Sequence, residues 1–174
     1  MAVLENEIAA TLTDDFWSIT LPNNLATAGA RSPYLLAYLA SLNVLDARAL
    51  FSKEKIADLV VPGVMPKKAP VERHHLFPKN YLASIGTTDT TDQNQIANLA
   101  IVGWEVNNDI SDDAPAEYWP RWVEKFGSDR AELERMSRWH ALPAGWQLMD
   151  YSTFLAARRQ MMASVIRDGY ARLM

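Results

Sequence analysis

Two adjacent imidazoles, His74 and His75, close an apolar, strand-like run, and Pro78 follows three residues after the second. A proline withholds a backbone donor, so it ends the strand and leaves the histidine pair at its tip. Further along come Asn94-Gln95-Ile96-Ala97-Asn98-Leu99 and then Asn107 and Asn108. Neutral imidazole accepts a proton near pH 7, and a side-chain amide offers an oxygen acceptor beside two N–H donors. Such groups suit a hydrolysis in which a base takes a proton from water while a cation neutralises charge developing on an anionic ester. A histidine pair alone is more often structural or on the surface. The ordered asparagines behind it shift the balance toward a site.

Three elements must position these groups. The residues around His74 and His75 have strand character, Ile96 to Val102 is a second β-type run, and Trp104 to Ile110 places apolar residues at helical spacing. In that β-β-α order the histidine pair, the second strand and the helical asparagine converge. Asn98 is expected to brace the loop between strand and helix through side-chain-to-backbone hydrogen bonds rather than to touch substrate.

On these residues the chain resembles the HNH branch of the ββα-metal (His-Me finger) nucleases, in the variant found at the C-terminus of GmrSD-type restriction enzymes. His75-Leu76-Phe77-Pro78 matches a His-x-x-Pro setting, Asn98-Leu99 an Asn-Leu pair, and Asn107 an asparagine near a helix start. The match runs on through Ile110-Ser111, Pro115, Tyr118 and His140-Ala141-Leu142-Pro143 to the arginine-rich last helix, covering most of residues 30–174.

The resemblance implies a mainly α fold with a small embedded ββα-metal (HNH) finger, its core at about residues 70–112. It makes His75 the general base, and His74, where relatives often carry an acid, a metal ligand. Asn107 becomes a catalytic residue and second ligand through its amide oxygen, with Asn108 its rival. Arg73 and Lys79 flank the pair and would hold DNA phosphates, against the plainer reading of solvated surface charge. The expected cofactor is a divalent metal, Mg²⁺ or Mn²⁺, with Zn²⁺ a competitor because imidazole in place of carboxylate softens the site.

The implied activity is that of a DNA endonuclease or nickase, the C-terminal effector domain of a restriction or phage-defence protein. Its partner would be an N-terminal ParB-like nucleotide-hydrolysing domain or subunit. No phosphate-cradling glycine loop occurs in this chain, so nucleotide hydrolysis is not assigned to it. The alternatives are a non-catalytic nucleic-acid- or protein-binding module that keeps the finger, and an RNA nuclease.

Composition sets the frame. With 174 residues, 49% of them hydrophobic, the chain can bury a real core. Residues 31–174 read as the helical nuclease domain, and residues 1–30 as a segment packing against or linking to an upstream domain. The absence of cysteine excludes disulfides and thiolate zinc knuckles. No apolar run is long enough to span a membrane, and the first ten residues carry acids where a secretory signal needs bases. Hence the expectation is a cytoplasmic protein with no membrane partner. The net charge of −4 does not suit a protein that coats DNA. Its distribution softens that objection: residues 46–80 hold seven Lys/Arg against four Asp/Glu, and residues 121–174 hold nine against six.

Local signals place the remaining elements. Ser32-Pro33 starts a helix to about Asn43, Ser52 caps a short helix through Leu59, and Lys79 to Ile85 forms a turn stopped by Gly86. Gly86 to Asp92 reads as a loop. Ala116 to Phe126 is a helix ended by Gly127, Ser128 caps another to about Trp139, and His140 reads as a helix-end or core residue outside the catalytic set. Asp150 opens the longest helix, with an apolar stripe through Phe154, Leu155, Met162 and Val165. Its arginines, Arg158, Arg159, Arg167 and Arg172, are expected to be solvated rather than to form a DNA-facing band.

Overall fold

The computed structural model describes residues 2–59, 71–103, 112–127 and 129–174. The chain is mainly helical, with a two-stranded antiparallel sheet. Helix α1 spans Ala2–Thr11, a π-helical turn covers Phe16–Thr20, and α2 spans Leu21–Asn24. Trp17, Leu21 and Leu25 from this stretch are buried in the same core as the rest of the chain. Helix α3, Pro33–Val44, starts where its signals say: the Ser32 hydroxyl accepts from the Tyr34 N–H, and Pro33 fills the first turn.

Helix α4, Ile56–Leu59, begins later than its serine signal, because the Ser52 hydroxyl accepts from the Glu54 N–H and makes a turn ahead of the helix. Strand β1, Val71–His75, pairs with β2, Leu99–Gly103, so that His75 faces Leu99 and His74 faces Ala100. The second strand therefore starts three residues after Ile96. Ile96–Asn98 is a 3₁₀ turn closed by the Asn98 N–H on the Gln95 carbonyl at 2.7 Å, which commits that N–H to the turn and delays the start of the strand.

Helix α5, Lys79–Ser84, ends at Gly86, whose φ of 95° is cheap only without a Cβ. The segment read as a loop contains α6, Thr90–Gln93, nucleated by the Asp89 carboxylate accepting from the Thr91 and Asp92 N–H groups. Helix α7, Pro115–Phe126, stops at Gly127. Helix α8, Arg130–Trp139, is capped by the Asp129 carboxylate; Ser128, the residue expected to cap it, lies outside the described residues. Helix α9, Tyr151–Leu173, starts at Asp150, which accepts from the Thr153 N–H.

Helix α9 runs along α3, and its other neighbours include α2 and the 3₁₀ turn before β2. Over that turn sits an aromatic cluster in which Phe77 meets Phe154 at 4.8 Å between ring centroids and Trp146 meets Phe154 at 5.3 Å. One expectation about α9 is corrected: Arg158 is not solvated but fully buried. Tyr151, Leu155, Arg158, Met162, Val165 and Gly169 recur at alternating spacings of four and three and are all buried, so Arg158 falls on the core stripe. Arg167 and Arg172 are exposed. His140 caps the end of α8 and is 1% exposed, with Nε2 2.9 Å from the Arg48 carbonyl. Among the described residues no helix is long and apolar enough to cross a membrane.

Candidate active site

Neighbouring residues of a strand point to opposite faces, and the histidine pair follows that rule. The half-buried His75 ring brings Nε2 to 3.1 Å from the Asn94 amide oxygen at the end of α6. An amide oxygen only accepts, so Nε2 carries the hydrogen and Nδ1 keeps its lone pair. Burial holds the His75 pKa below its ordinary value, the Asn94 bond opposes this, and the Lys79 and Arg73 charges add to the lowering. The ring is therefore neutral at pH 7, in the tautomer a base needs. Both cations are exposed, Arg73 two residues before His75 and Lys79 at the start of α5.

His74 faces the interior. It is 6% exposed and stands edge-on to the Tyr118 ring, at 6.0 Å between centroids and 88° between planes. The Tyr118 hydroxyl donates to the Leu76 carbonyl at 2.7 Å, so α7 holds the segment that follows the histidine pair.

Asn98 is fully buried and uses its amide three times. Its oxygen accepts from the Phe77 N–H at 2.8 Å, and its Nδ2 donates to the Phe77 and Gln93 carbonyls, each at 3.0 Å. Phe77 lies two residues after His75, and Gln93 lies just before Asn94. One side chain thus ties down the backbone on both sides of the His75–Asn94 contact. The Leu76 N–H on the Asn98 carbonyl, at 2.8 Å, extends the ladder past the end of β1.

Asn107 and Asn108 lie outside the described residues. Among the described residues no group of three His, Asp or Glu side chains is placed to hold a metal ion. They supply His74 as an imidazole donor, a type that suits divalent transition ions.

Sequence reasoning gives Asn94 no role and reads Arg158 as solvated. Asn94 opens the Asn94-Gln95-Ile96-Ala97-Asn98-Leu99 motif, but its partner is 19 residues away across α5 and α6, and spacing alone does not reveal that contact. For Arg158 a signal existed: it occupies an apolar position of the α9 stripe. No protein-family model, no curated protein and no solved structure matches the chain.

Proposed function

We propose that this chain hydrolyses phosphodiester bonds in DNA as a metal-dependent endonuclease or nickase of the ββα-metal (HNH) type, with His75 as general base. The observation that carries the reading is the strand-end His75, half-buried, with Nε2 on the Asn94 amide oxygen so that Nδ1 keeps the lone pair that would take a proton from water. The water so activated attacks phosphorus, and the ester oxygen opposite departs to leave the phosphate on one DNA end. A divalent cation, held by His74 and Asn107 with Asn108 as rival second ligand, would neutralise charge on the phosphate and the departing oxygen. Exposed Arg73 and Lys79 hold flanking phosphates. Asn98 braces the loop.

By the resemblance, the chain acts in the cytoplasm as the C-terminal effector of a restriction or phage-defence protein, beside a ParB-like nucleotide-hydrolysing domain or subunit. The test compares supercoiled plasmid, single-stranded DNA and RNA, each with Mg²⁺, Mn²⁺ or a chelator. The expected result is metal-dependent plasmid nicking that falls by at least about 10²-fold in His75→Ala, with melting temperature nearly unchanged. Cleavage of RNA alone would reassign the substrate. If folded protein cleaved none of the three, the nuclease reading would be lost.

A further inference from the structure

We infer that Arg158 is a positioning residue for His75: from inside α9 it grips the backbone on both sides of Asn98, and through Asn98 it fixes the two segments that carry His75 and Asn94. The inference rests on the reading of His75 as the base.

Arginine is almost never fully buried unless its charge is met, and Arg158 is 0% exposed. Its three nitrogens each donate to a backbone carbonyl. Nη1 donates to Ala97 at 2.8 Å, Nη2 to Leu99 at 2.8 Å, and Nε to His140 at 3.2 Å. The Tyr38 hydroxyl also meets the guanidinium, while itself donating to the Trp139 carbonyl at 2.8 Å. Packing alone does not require this arrangement. A long apolar side chain on the same stripe would fill the space without taking a charge out of water.

The planar fork explains the choice. A guanidinium presents its donors in a rigid fan, and here two of its nitrogens take carbonyls two residues apart, with Asn98 between them. Holding Ala97 and Leu99 fixes the direction in which the Asn98 side chain leaves the backbone, so its amide meets Phe77 and Gln93. Phe77 belongs to the loop leaving His75, and Gln93 precedes Asn94. The third donor ties the same unit to the end of α8 at His140. A base displaced by even an ångström loses much of its rate, so a rigid support under this corner acts on turnover more than on substrate binding.

The experiment uses the full chain with Arg158→Met and Arg158→Lys. Steady-state cleavage gives kcat and KM. NMR exchange rates are read for the Asn98 Nδ2 protons and the His75 Nε2 proton, with backbone amides of α8 as reference. In Arg158→Met, kcat should fall by about tenfold or more while KM stays within about twofold. The three side-chain protons should exchange at least about tenfold faster relative to the reference amides. Arg158→Lys should recover part of both, since an ammonium reaches some of these carbonyls but not all of them. A role in stability alone would speed all protected protons together and leave kcat of the folded enzyme unchanged, and that result would overturn the inference. Should Arg158→Met fail to fold, Arg158→Lys decides on the same readouts. If the wild-type chain cut no substrate, the nuclease reading would fall, while selective loosening of the three protons would still establish Arg158 as the support of the His75–Asn94 contact.

Discussion

The three histidines differ by environment rather than by type. His75 is half-buried with Nε2 on the Asn94 amide oxygen, His74 packs against Tyr118, and His140 is buried at the end of α8. Burial lowers the His140 pKa from its ordinary 6.5 to about 4. Between those values the unfolded chain takes a proton that the folded chain refuses. This stability is complete above pH 6.5 and is lost as pH falls toward 4. At 1.36 kcal/mol per unit, the loss reaches at most about 3 kcal/mol. His75, whose pKa is also lowered, acts in the same direction. Urea unfolding at pH 7, 5.5 and 4.5 should show this decline, and His140→Gln should flatten it; a wild-type profile flat over that window would mean that His140 titrates normally in the folded chain. Asn98 offers a second check at this scale. Asn98→Ala would strip partners from the Phe77 N–H and from two carbonyls and cost about 3 kcal/mol, together with most of the activity. An unchanged melting temperature would contradict the clamp.

At the scale of elements, α3 and α9 approach very closely. A Cβ added at Gly169 would meet the Ser41 Cβ at 2.5 Å and its Cα at 2.9 Å, so the helices touch almost backbone to backbone. Gly169→Ala should force them apart and destabilise the chain by about 1–3 kcal/mol. Adding Ser41→Gly removes the nearer atoms but not the Cα, so the double variant should recover only part of the loss by thermal melting. An additive pair would mean that the two sites do not touch in solution. This crossing also shows what sequence conveys and what it does not. Helices with a strong cap or stop, such as Ser32-Pro33, Gly127 and Asp150, are legible because the signal is local. The onset of β2 is not, since Asn98 spends its N–H on a turn and its side chain on Gln93 and on Phe77, the latter 21 residues earlier. The same holds for the site: His75 and Asn98 stand out by type, whereas the Asn94 contact and the burial of Arg158 exist only once distant segments meet. Four-residue α6 was hidden for a different reason, being too short for any periodicity and marked only by the Asp89 cap.

At the scale of the whole molecule, a net charge of −4 must be reconciled with the proposed polyanionic substrate. Long-range attraction to DNA is weak for such a chain, so binding depends on where its cations stand. Arg73 and Lys79 are exposed and close enough to His75 to influence its titration, which puts two positive charges at the proposed reaction centre despite the acidic total. Each phosphate they neutralise releases counterions, and the logarithm of the binding constant then falls linearly with the logarithm of salt concentration. The double variant Arg73→Gln/Lys79→Gln should reduce that slope by about 2 and weaken binding to all sequences alike. Its melting temperature should hardly move, because both side chains are solvated. Fluorescence anisotropy of a labelled duplex across a salt series measures the slope directly, with His75→Ala as a control that leaves it unchanged. A double variant with the wild-type slope would place the phosphate contacts elsewhere, with exposed Arg172 and the half-buried Arg159 on α9 the next cations to neutralise.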